Sequence, residues 1–159
     1  MTEAYEWVMG DLDTLNEWSN HLIKQSPSAG QISDLVYLQN IAIQVMIVSQ
    51  LEYFLKSAGK IEKQGEIKKI IEQSELTKSE KIELKRLMLV RHTLVHNLGH
   101  FDEEFSKKIN KLGLKFDLKE TEKQRMLSPL AIETLPDYIK ITKKLIDEIE
   151  KTRSAAVGI

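Results

Sequence analysis

The segment ISDLVYLQNIAIQVMIVSQLEYFLKSAG, residues 32–59, constrains the fold most. Over Ile41–Val48 it is apolar on more than one side of a helix, whereas a surface helix needs a single apolar stripe. Such a helix must be packed by neighbours all round, and the rest of the chain has the patterns to supply them. Val8, Leu12, Leu15 and Leu22 recur at three-, four- and seven-residue spacing, which predicts an amphipathic helix across 3–24. QSPSAGQ breaks it with turn-forming Ser, Pro and Gly, and Gly59 ends the central helix. A charged amphipathic helix is expected over 60–73. Thr77 followed by Glu80 is a capping box that starts the next helix, with Gly99 placed as its left-handed cap.

DEEFSKKINKLG reads as a short helix ending at Gly113. Leu114, Phe116 and Leu118 then alternate with polar residues, the period of a strand, and KQRMLS is read as pairing back to give a small β-hairpin near 114–127. Ser128 and Pro129 form an N-cap with proline at the first helical position. The final helix carries Leu135, Ile139, Leu145, Ile146 and Ile149, with Pro136 either kinking it or resetting its start, and RSAAVGI is expected to fray. The expected fold is therefore all-α, a helical bundle of four to five main helices forming one domain over 1–159 with its core across 3–153.

Composition narrows the function. The chain has no cysteine, which excludes disulfides and thiolate metal sites and fits a reducing compartment. No apolar run approaches the roughly 20 residues that span a bilayer. The acidic start MTEAYEWVMGDLD lacks the basic flank of a signal peptide, so a cytoplasmic location is expected. A net charge of −1 means that any nucleic-acid site must be local.

One local feature stands out. RHTLVHNLGH, Arg91 to His100, holds three of the four histidines beside an arginine, inside the helical pattern LKRLMLVRHTLVHNLG. At about 100° per residue, Arg91 falls in the middle of an arc made by Leu84, Leu87, Leu94 and Val95, while His92 and His96 lie together on its flank. A guanidinium does not shed its proton, so burying it requires an anion or acceptors. Glu52, on the central helix, either pairs with Arg91 or faces solvent. A metal site at His92, His96 and His100 is the rival reading, but no H-E-x-x-H pattern is present and Gly99 falls before His100, so no metal or cofactor is expected.

The run from Arg91 to His96 resembles the R-x(4–6)-H motif of the HEPN superfamily of all-helical nucleotide-binding and ribonuclease domains. His92 stands where many members carry Asn, Asp or His, and VHNLGHFDEEF resembles the ending seen in members from microbial defence systems. The resemblance covers roughly Ile32 to Phe105, plus the final helix by architecture. It implies a homodimer in which two motifs form one composite site, and a metal-independent endoribonuclease acting in defence or in a toxin–antitoxin pair. A non-catalytic dimeric module that binds RNA, nucleotide or protein is the alternative. The resemblance also implies a partner antitoxin or defence protein. Some members are regulated by modification of a tyrosine two residues after the motif histidine. Leu98 occupies that position here, which argues against that regulation.

Metal-free RNA cleavage requires one group to take the 2′-hydroxyl proton, one to protonate the leaving 5′-oxygen, and positive charge near the phosphorane. Histidine exchanges protons near neutral pH, and arginine holds phosphate oxygens bidentately. On this reading Arg91 stabilises phosphate and His96 does acid–base work. His92 orients them, Asn97 binds a phosphate or ribose oxygen, and Glu52 aligns Arg91. Which histidine is the acid and which the base stays open. Tyr53 and Phe54 are read as core, and the lysines at 107, 108, 111 and 115 as a solvated face.

Overall fold

The structure, a computed structural model, describes residues 2–25, 34–96, 103–113 and 131–157. Six α-helices carry these residues: α1 (Glu3–Gln25), α2 (Asp34–Ser57), α3 (Ile67–Gln73), α4 (Lys78–His96), α5 (Glu103–Lys111) and α6 (Leu135–Val157). The architecture is an all-α bundle, with no strand among the described residues. The expected hairpin near 114–127, the Gly99 cap and the Ser128–Pro129 start lie outside those residues.

Helix α2 is the hub. It packs against α1, α4 and α6, and Ile43, Ile47, Val48, Leu51, Phe54 and Leu55 are all fully buried. Burying such side chains stabilises a fold by about 1.5–3 kcal/mol each before conformational entropy is subtracted, so this helix anchors the core. Two amides interrupt its apolar surface. Gln44 Nε2 donates to Asn40 Oδ1 at 2.8 Å, both side chains are buried, and Gln44 Oε1 has no hydrogen-bond partner among the described residues. Gly59 adopts φ +65°, the left-handed conformation that closes α2, and Gly113 does the same after α5 with φ +79°.

Helix α4 is set from its first turn. Thr77 N–H donates to Glu80 Oε2 at 2.7 Å, and Glu80 N–H donates to Thr77 Oγ1 at 3.3 Å, the reciprocal capping box. Lys144 on α6 donates to both oxygens of the same carboxylate. One turn on, Tyr138 of α6, almost wholly buried, donates its hydroxyl to Glu83 at 2.7 Å. α3 and α5 lie against α4 from other sides, so residues around much of its circumference are buried, from Leu84 to Thr93.

Two expectations are corrected and one is resolved. Residues 60–73 are not one helix. Glu66 Oε2 accepts the backbone N–H groups of Glu62 and Lys63 at 2.8 and 3.2 Å, and this local turn replaces the first helical turns before α3. Of the two readings of Pro136, the structure has the reset start: Pro136 sits in the first turn of α6, where an N–H has no helical partner to lose, after a 3-10 turn at Ile132–Thr134. The C-terminal segment does not fray at Arg153, because α6 continues to Val157.

Candidate functional site

The last turns of α4 present Arg91, His92 and His96. Arg91 turns toward α2. Its side chain is 14% exposed, its Nη2 lies 3.9 Å from Glu52 Oε2, and its Nε is buried with no hydrogen-bond partner among the described residues. Lys56 holds the other Glu52 oxygen at 2.9 Å. One carboxylate therefore sits between two cations, with the shorter bond going to the lysine. At 3.9 Å the arginine contact is at the limit of an ion pair, and the unpaired Nε leaves part of the guanidinium's desolvation uncompensated. α2 of the same chain already covers the side chain, and Val95, placed beside it in the apolar arc, is 44% exposed.

His92 and His96 lie further round the helix, side by side with ring centroids 4.7 Å apart and planes tilted by 44°. This follows from their i, i+4 spacing. The His92 pKa is held below its ordinary value, first by burial of part of the ring, then by repulsion from His96, Lys108, Arg91 and Lys68. Those neighbours outline a local concentration of positive charge. Lys68 comes from α3 and Lys108 from α5, so cations of three helices meet at the end of α4. Gly65, Lys68, Met88, Leu89, His92 and Lys108 line a cleft there of about 260 Å³. Neither Gly65 nor Lys68 was singled out by sequence, since an exposed lysine on a short charged helix carries no signal until α3 is laid against α4.

Arg91 and His96 lie five residues apart on one helix, about 140° around it, so a single α4 points them to different sides. The fold brings Arg91 to Glu52, and His96 to His92. Asn97 and His100 lie outside the described residues. No group of three or more His, Asp or Glu side chains arranged to hold a metal occurs among the described residues. Phe54 is core, edge-on to Tyr5 at 6.4 Å, but Tyr53 is 56% exposed, contrary to expectation. Tyr53 continues a face of α2 on which Leu38 and Met46 are also exposed, all within one side by helical spacing.

No described helix is long and apolar enough to cross a membrane. Compared with known protein families, with curated proteins and with solved structures, the chain shows no match.

Proposed function

We propose that this chain is a metal-independent endoribonuclease of HEPN type that acts as a homodimer, cleaving RNA through attack of a 2′-hydroxyl. The observation that carries the reading is the adjacent His92–His96 pair, set in a cluster of cations one residue beyond a semi-buried arginine. A histidine held toward its neutral form accepts a proton, and a second imidazole beside it supplies one to the leaving oxygen. Arg91 meets phosphate by exchanging its long contact with Glu52 for a charge-assisted bidentate one. Tyr53, which adjoins Glu52 on α2, and Val95, one turn beyond Arg91 on α4, are exposed, with Met46 and Leu38 exposed further along the same face of α2. This surface suits coverage by a second copy, which would bring two motifs to one site.

A second reading has its own observation. Arg91 is tucked against α2 rather than presented to solvent, which favours a dimeric module that binds RNA, nucleotide or a partner protein without cleaving. An RNA-cleavage assay in EDTA on wild type and His96→Ala separates the two. Cleavage that survives EDTA, is lost in His96→Ala and leaves 2′,3′-cyclic phosphate ends supports the enzyme. A pure dimer that binds RNA through Arg91 but cuts none supports the module. Equal cutting of DNA rules out the 2′-hydroxyl mechanism. A monomer by light scattering at tens of micromolar removes the composite site.

A further inference from the structure

The cleft between α3, α4 and α5 is distinct in its make-up from the histidine pair it adjoins. Its floor is Met88 and Leu89, both largely buried, and its rim carries Lys68, His92 and Lys108. Gly65, with nothing within 4 Å of where a Cβ would stand, leaves the opening unobstructed. The lysines are available. Lys68 makes no ion pair among the described residues, and Lys108 is joined only to Glu104 of its own helix, an exposed i, i+4 contact of the kind that contributes little. Converging cations over an apolar floor, in a chain of net charge −1, call for a ligand with a compact anion and a flat apolar part.

We propose that this cleft is a nucleotide subsite: Lys68 and Lys108 hold a phosphate, Met88 and Leu89 seat the base, and the strand continues past His92 to His96. It rests on the ribonuclease reading for its neighbour but not for its own chemistry, because a phosphate ester and a base are recognised here whether or not a bond is cut. A free nucleoside monophosphate and one nucleotide of a single strand share that chemistry, and the strand is favoured because His92, which lines the cleft, lies against the exposed His96.

The test uses the full chain, a single-stranded oligoribonucleotide, adenosine 5′-monophosphate and inorganic phosphate, with Lys68→Glu, Lys108→Glu, the double variant, and Lys140→Glu on α6 as control. Both target lysines are exposed, so the variants are expected to keep wild-type circular dichroism and Tm. The double variant should bind the oligonucleotide at least tenfold more weakly. Its log–log salt dependence of binding should also be shallower, by about 0.7 for each phosphate that is no longer neutralised. Lys140→Glu should stay within twofold. Saturable binding of the monophosphate, with a shift of the Met88 methyl resonance, also supports the subsite and assigns it to free nucleotide if the oligonucleotide binds no tighter. Wild-type affinity in the double variant overturns the proposal, as does an equal loss in Lys140→Glu. Inorganic phosphate competing as well as the monophosphate overturns the base seat. The two readings fail separately. Binding lost in the double variant of a protein that cuts no RNA keeps the subsite and removes the enzyme. His96-dependent cutting with an unchanged KM in the double variant keeps the enzyme and removes the subsite.

Discussion

The two halves of α4 treat charge in opposite ways. In the first half polar groups are answered: Thr77 and Glu80 cap each other, Lys144 closes on Glu80, and Tyr138 donates to Glu83. In the second half, Arg91 keeps a buried Nε unpaired among the described residues, and His92 sits among cations that oppose its protonation. Satisfied polar groups stabilise a fold. Unsatisfied ones persist where something other than stability holds them. The contrast separates a half of the helix whose charged groups are paired from a half in which Arg91 and His92 are poorly compensated, although both halves contribute to the core.

The difference between the halves is tested most directly at Tyr138. Tyr138→Ala should destabilise the fold by about 3–5 kcal/mol, the usual range for a large buried aromatic, read from urea unfolding. Arg91→Met should do the reverse of what its burial suggests. It keeps most of the packing and removes a poorly satisfied charge, so stability should stay within about 1 kcal/mol of wild type while RNA cleavage falls by about 10²-fold or more. If Arg91→Met unfolds the protein as Tyr138→Ala does, both halves are structural and the distinction collapses. Thr77→Ala sharpens it on the structural side, with an expected loss of about 1 kcal/mol and unchanged activity.

The smallest effect is in the pH profile. A histidine with a folded pKa below 6.5 leaves the unfolded state holding the extra proton, so stability falls as pH drops below 6.5 and levels off once the folded form is protonated too. The groups that face His92 are His96, Arg91, Lys68 and Lys108, with Glu52 and Glu104 paired to two of them. Glu80 acts in a lower window. Lys144 and the Thr77 N–H hold its carboxyl at about 2, so its contribution is present above 4.5 and is lost as pH falls toward 2. His92→Gln should flatten the first step in thermal melts taken across pH and leave the second in place. A wild-type profile that stays flat as pH falls below 6.5 would contradict the gathering of cations at the end of α4.

What could be read from sequence was whatever a few adjacent residues decide. The Thr77–Glu80 box and the glycines closing α2 and α5 act within one turn, and the structure has them as expected. The first helix and the central one follow from apolar spacing alone. The stretch at 60–66 misled because periodicity does not reveal that Glu66 takes two backbone N–H groups for itself. The wheel of α4 misled for a different reason. It assumes one buried face, but α2, α3, α5 and α6 all lie on this helix, so Thr93 is buried while Val95 is exposed. For the same reason Glu52 was legible as a partner of Arg91 from charge and placement, whereas Lys68 was invisible until three helices came together.

The amide pair inside α2 bears on how the bundle avoids alternatives. A helix apolar on several sides has little to choose between its rotational settings, because each turn of the screw offers neighbours another greasy surface. Gln44 and Asn40 remove that degeneracy. Rotating or sliding α2 would carry two mutually bonded amides from a place that accommodates them into aliphatic packing, at about 1–3 kcal/mol for each polar group stranded. The Gln44 amide oxygen has no partner among the described residues in the native setting, so that atom adds nothing to the preference, which rests on where the other amide groups of the pair are placed. Through that orientation α2 fixes the azimuth at which Glu52 meets Arg91, roughly two turns along the same helix.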